Sequence, residues 1–172
     1  MRSFLILFLI TFVLFSCNSE KKQNNVTTAN PKNTNAILRD KFGNPIPLPK
    51  DKLIILNFMA YSCSACMEEL PVLKKVLREK EFKDKFKLIF IVIDADRNDL
   101  SDKEFPVYTS SNENYVRFPV PGTPTTYIIT PDGKKLVYIV GAVTEKNLKM
   151  FLKQALKKYE KYKKDQKEQK AP

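Results

Sequence analysis

The chain has 172 residues, 43% of them hydrophobic, which is apolar material enough for one domain of ordinary size. Its formal charge is +11, from 30 Lys and Arg against 19 Asp and Glu; with no arginine cluster and no RNA-binding aromatic pattern, the scattered lysines read as a solvated surface, not as a nucleic-acid site. There is no histidine, which excludes His general bases, Ser-His-Asp and Cys-His nucleophiles, and nearly all common zinc and copper sites.

The N-terminus reads as an address. After the basic Arg2, Phe4 through Phe15 form an apolar run broken only by Thr11, too short to span a bilayer comfortably and suited to a signal-peptide core. It ends in Leu14-Phe15-Ser16-Cys17, which resembles a bacterial lipobox, although Phe15 is bulkier than the small residue often found there. Cys17 is then the expected lipidation site; an uncleaved signal anchor is the alternative. Residues 18–35 are polar and aperiodic, as in a flexible tether. The expected organisation is signal peptide 1–16, lipid anchor and tether 17–35, folded domain 36–160 and charged tail 161–172. Either reading of the leader puts the domain outside the cytoplasm, where a cysteine pair is a structural disulfide or a redox device.

Leu53 to Met59 is a compact branched apolar run, the pattern of a buried central strand. Cys63-Ser64-Ala65-Cys66 follows. Met67, Leu70, Leu73, Val76 and Leu77 then recur at helical spacing, with charged residues between them. A C-x-x-C alone fits half a zinc site, a structural bridge or a redox pair. Zinc wants four ligands, and the chain has only Cys17 besides these two and no histidine. A bridge closing so small a loop constrains the unfolded chain little. The motif joins a strand end to a helix start, where free backbone N–H groups and the helix dipole stabilise a thiolate. Cys63 is therefore the expected attacking sulfur and Cys66 the resolving one. Pro71 falls inside the helix and should kink it.

Further along, Leu88 to Ile93 predicts a second buried strand. Thr125–Thr130 and Leu136–Val140, joined around Asp132-Gly133, predict a hairpin. Leu148, Phe151, Leu152, Ala155, Leu156 and Tyr159 mark a terminal amphipathic helix. From Lys157 on, the charge run predicts frayed helix or disorder.

Taken together, these residues resemble the thioredoxin superfamily, and within it the TlpA/ResA/CcmG type of membrane-tethered thiol–disulfide oxidoreductase. The stretch Asn57-Phe58-Met59-Ala60-Tyr61-Ser62-Cys63-Ser64-Ala65-Cys66-Met67-Glu68-Glu69-Leu70-Pro71 is similar to the family's N-F-W-A-x-W-C-x-P-C-x-x-E-x-P. Tyr115-Val116, Val120 to Ile129 and Pro131-Asp132-Gly133 resemble a second family block. The fold implied is α/β and thioredoxin-like: a central mixed sheet flanked by helices, with an N-terminal β-hairpin extension formed by Phe42 to Leu48. The resemblance further implies a cis peptide at Thr123-Pro124, with the backbone of Thr123 pairing to extended substrate. Ser64, Ala65, Asn57 and Pro71 are implied as supporting residues.

The chain departs from the family pattern at Met59 and Ser62, which replace tryptophans, and at Ala65, which replaces a proline. Asn57 stands where thioredoxin itself has a buried acid, so protons must be handled elsewhere; Glu68, Glu69, Asp94 and Asp96 are candidates, each of which also reads as a surface charge. The function expected is reduction or exchange of disulfides in exported proteins at the extracytoplasmic face of the cell envelope. The setting is cytochrome c maturation or a similar pathway, and electrons come from a membrane thiol reductant of the CcdA/DsbD type. No cofactor is expected beyond the Cys63–Cys66 disulfide, and no metal. The alternatives are a disulfide-donating oxidant, or a non-enzymatic lipoprotein of the same fold that binds a partner or Cu(I).

Overall fold

The computed structural model describes residues 36–169; the leader, Cys17 and the whole tether lie outside the described residues. Among the described residues the elements are β1 (Leu53–Met59), α1 (Ser64–Arg78), β2 (Phe86–Val92), β3 (Val107–Thr109), α2 (Glu113–Arg117), β4 (Thr125–Ile129), β5 (Lys135–Val140) and α3 (Glu145–Glu168). The strands form one sheet in the order β3-β2-β1-β4-β5. β1 runs parallel to β2, with Leu53 opposite Phe86 and Met59 opposite Val92. It runs antiparallel to β4, with Ile54 opposite Ile129 and Phe58 opposite Thr125. This is the mixed sheet expected of a thioredoxin-like fold.

The uninterrupted apolar run of β1 has a direct cause, because every residue of the strand is buried. Side chains alternate across the sheet. Leu53, Ile55 and Met59 face α1 and α3, packing with Cys66, Leu73, Val76, Leu77, Leu148 and Leu152. Ile54, Leu56 and Phe58 face the other way and meet Ile89, Ile91, Phe118, Tyr127 and Ile129. Leu38 and Ile46, from the segment before β1, close that second face. Each is almost fully buried, so each stabilises the domain by about 1.5–3 kcal/mol through removal of apolar surface from water.

The expected N-terminal hairpin is reduced to an isolated bridge between Arg39 and Pro45, with a second bridge from Asp40 to Ser110. The Asp40 carboxylate holds the turn by accepting from the N–H groups of Phe42 and Asn44 at 2.9 and 2.8 Å. β2 begins at Phe86 and stops at Val92, leaving Ile93 exposed beyond its end.

The terminal helix is longer than its composition predicts. Thr144 caps α3 by accepting from the N–H of Asn147, and the helix continues to Glu168, through the run read as a fraying tail. Contacts with the β4–β5 turn explain its order. The Tyr162 hydroxyl donates to the Asp132 carboxylate, and Lys158 Nζ donates to Leu136 O at 2.8 Å. Lys134 Nζ stands over the Tyr162 ring. No helix among the described residues is long and apolar enough to cross a membrane.

Candidate active site

Cys63 is the N-cap of α1, in extended backbone conformation, and its sulfur accepts the N–H of Cys66 at 3.1 Å. The chain enters it from the C-terminal end of β1 through Ala60-Tyr61-Ser62. Cys63 is half-buried and Cys66, one turn into the helix, is 3% exposed. The two are joined as a disulfide, with Cα atoms 5.3 Å apart. A sulfur at a helix start, accepting a first-turn N–H, sits where negative charge is favoured. Ser64 and Ala65 occupy the exposed first turn. Pro71 lies within α1, and the helix runs on past it to Arg78.

Thr123 and Pro124 come to the same place from the loop before β4. Their peptide bond is cis, and Thr123 O lies 3.5 Å from Cys63 Sγ. Pro124 is buried, and its carbonyl accepts the N–H of Gly141 at 2.8 Å. Thr125 Oγ1 donates to Gly122 O at 2.6 Å, bracing the turn from below.

Behind the pair is a buried polar group that the sequence offered only as one of four acids. Glu69 lies three residues beyond Cys66 on the inward face of α1 and is 2% exposed. Its Oε2 accepts from Asn57 Nδ2 at 3.0 Å and its Oε1 accepts the N–H of Val143 at 2.9 Å. Asn57 spends its other amide hydrogen on Thr126 Oγ1 at 2.8 Å. Asn57 is thus a neutral bracket for a buried carboxyl. Burial pushes the Glu69 carboxyl above its ordinary value, against the pull of the Val143 N–H and the Asn57 amide.

The other three acids lie off that buried face. Glu68, the residue before Glu69 in α1, is exposed. Asp96 pairs with Lys41 at 2.7 Å. Asp94 lies just past β2 and accepts the N–H groups of Tyr61 and Ser62 at 2.8 and 2.9 Å.

A thioredoxin-type sheet that sets a C-x-x-C disulfide at a helix start, beside a cis X-Pro peptide, defines the thiol–disulfide oxidoreductases of this fold. Residues 48–156 match the family described as thioredoxin-like domain, and the chain belongs to that family. Among curated proteins it is 30% identical over 130 residues to the thiol-disulfide oxidoreductase ResA of Bacillus thuringiensis, covering 69% of this chain and 73% of the relative. It is 29% identical over 112 residues to the thioredoxin-like protein YneN of Bacillus subtilis, covering 60% of this chain and 65% of that protein. Its fold is like that of the pneumococcal exposed lipoprotein thioredoxin Etrx1 of Streptococcus pneumoniae. The TM-score there is 0.54 at 23% identity, over 68% of this chain and 96% of the other. The chain is a thiol–disulfide oxidoreductase carrying a Cys63–Cys66 pair.

Proposed function

We propose that the chain reduces or exchanges disulfides in exported proteins, on the extracytoplasmic side of a membrane to which lipid on Cys17 holds it. The observation that carries this reading is the asymmetry of the pair. Cys63 is open to a partner at the helix start, while Cys66 is buried behind it, with the carboxyl of Glu69 one turn deeper on the same helix face.

In the reducing cycle the Cys63 thiolate attacks one sulfur of a substrate disulfide. A Cys63–substrate bond forms, the substrate S–S bond breaks, and the departing thiolate takes a proton. Cys66 then gives its proton to the Glu69 carboxylate and attacks Cys63. A Cys63–Cys66 bond forms, the Cys63–substrate bond breaks, and the second substrate sulfur leaves as a thiolate that takes up the proton held on Glu69. Two electrons and two protons have passed to the substrate, and the pair ends as the disulfide seen here. The backbone of Thr123, beside Cys63 Sγ, pairs with an extended substrate segment, and Pro124 shapes that surface. A membrane thiol reductant of the CcdA/DsbD type restores the dithiol. Maturation of c-type cytochromes, whose haem attachment sites must be held as free thiols, is the setting we favour.

Cys66→Ala tests the cycle. It removes the resolving thiol, so cells should accumulate covalent adducts through Cys63 that dithiothreitol releases and that Cys63→Ala never forms. Absence of any adduct in the Cys66→Ala cells overturns the exchange reading. Direction is a separate measurement. Equilibration of the pair in thiol buffers should give a reduction potential near or below about −250 mV, the thioredoxin end of the scale; a value near about −120 mV would make the protein an oxidant instead.

A further inference from the structure

The loop after β2 grips the loop before Cys63 at four points. Asp94 Oδ1 accepts the N–H of Tyr61 at 2.8 Å and Oδ2 accepts the N–H of Ser62 at 2.9 Å. The Arg97 guanidinium stands 4.2 Å from the centroid of the Tyr61 ring. The Tyr61 hydroxyl donates to Arg97 O at 3.3 Å. A single carboxylate thus takes both peptide N–H groups immediately before the attacking cysteine, although Asp94 is itself exposed and contributes nothing to the core.

The other charges nearby are already matched. Asp96 pairs with Lys41 at 2.7 Å and Arg97 with Asp99 at 3.2 Å, while Glu69 faces Asn57 and Val143 on the far side of the pair. Asp94 has no ion pair of its own among the described residues; its partners are neutral, the Tyr61 and Ser62 N–H groups and the Ser62 hydroxyl. Desolvation is the largest single influence on its carboxyl and acts upward. Hydrogen bonds from the Ser62 and Tyr61 N–H groups, joined by the Ser62 side chain and the backbone of Asp94 itself, outweigh it and hold the carboxyl below its ordinary value, so the charged form is present at neutral pH.

We propose that Asp94 is a positioning residue for the redox pair: it fixes the two peptide units leading into Cys63, and its charge limits the share of Cys63 present as thiolate. The physical grounds are two. The N–H groups of Tyr61 and Ser62 point at the carboxylate and so are withheld from the sulfur. A negative charge held on the peptide N–H groups of the two residues before Cys63 also opposes a second one on its sulfur. The helix start pulls the other way, through the Cys66 N–H that Cys63 Sγ accepts at 3.1 Å. Asp94 therefore acts as a brake on the activation that the helix supplies, and it biases the pair toward the reducing side, because a less stable thiolate makes the dithiol a better electron donor. The role rests on the redox reading above and deepens it.

The test uses the full chain, reduced, with iodoacetamide as probe from pH 5 to 9.5. Alkylation is read by mass spectrometry on the Cys63 peptide, so that Cys17 does not contribute. In Asp94→Asn, which keeps the shape and removes the charge, Cys63 should react at pH 6 roughly 3- to 10-fold faster than in wild type, the size of one partly screened unit charge. The rates should converge at high pH. Asp94→Ala should shift the profile at least as far, and in both variants the pair should move toward the dithiol in glutathione buffers. Profiles of both variants that superimpose on wild type overturn the role. So does a lowered melting temperature with an unmoved profile, which is the signature of loop bracing alone. Iodoacetamide needs no protein substrate, so a shifted profile in a chain that traps no partner would reject the proposed exchange function and leave the effect of Asp94 on Cys63 standing.

Discussion

Glu69→Gln is expected to slow release of the mixed disulfide by roughly 10²-fold, the lower end of what a positioned proton acceptor contributes, while the first attack by Cys63 stays near its wild-type rate. Rapid-quench kinetics with a disulfide peptide separate the two steps: the adduct should build up and decay slowly. Equal decay in both proteins would remove Glu69 from the proton path. The same substitution carries a stability signature. The carboxyl accepts two hydrogen bonds, from Asn57 Nδ2 and the Val143 N–H. A glutamine has one carbonyl oxygen, so one buried donor loses its acceptor, at a cost of about 1–3 kcal/mol. The pH dependence has a definite sign. Burial raises the folded-state value of Glu69 above the ordinary 4.5, so the folded chain binds a proton that the unfolded chain has released. The stability this contributes is complete below the unfolded value and is lost as pH rises through the folded one. Urea unfolding from pH 4 to pH 8 should therefore show wild type losing part of its advantage over Glu69→Gln as pH rises across that window.

Phe58→Ala should cost about 3–5 kcal/mol, a large share of the 5–15 kcal/mol that holds a domain of this size. Phe58 is fully buried at the centre of the sheet. Its ring lies 6.1 Å from Tyr127 and 6.2 Å from Phe118, centroid to centroid, and Tyr115 stands at 6.4 Å. These belong to the cluster on the face away from α1, so truncation opens a cavity that the redox pair does not line. Denaturant unfolding should show the loss, while the fraction that remains folded keeps its alkylation rate at Cys63. A loss below about 1.5 kcal/mol would mean that the aromatic cluster collapses into the space.

Much of this was legible in the chain. β1 announced itself because a strand buried on both faces has no polar alternation to hide it. The pair was placed correctly because C-x-x-C sat between a strand run and a helical period. The cis Thr123–Pro124 peptide came from the family resemblance, since an X-Pro sequence by itself does not choose an isomer. Glu69 was harder. Beside Glu68 it looks like half of a charged surface, yet it falls on the helix face of Cys66, Leu73, Val76 and Leu77, and that phase was the available signal. β3 has three residues and α2 five, too few to show a period. α2 also lacks a side-chain cap, and its buried Asn114 is fixed by tertiary bonds to Arg39, with a local one to Ser110. The tail read as frayed helix or disorder because lysine density describes solvation; its order comes from Tyr162 and Lys158 reaching residues more than twenty positions back.

The sheet's two margins bear on self-association. One is β3, only three residues long, which gives a second chain little backbone to pair with. The other is β5, longer and bearing exposed Tyr138 and Val140, the kind of edge along which chains stack into fibrils. Here α3 intervenes: Lys158 reaches over and occupies the Leu136 carbonyl, Lys135 adds a charge, and the register slips between Ile128 and Ile129. The lysine-rich helix thus doubles as a guard rail against copies zipping together edge to edge.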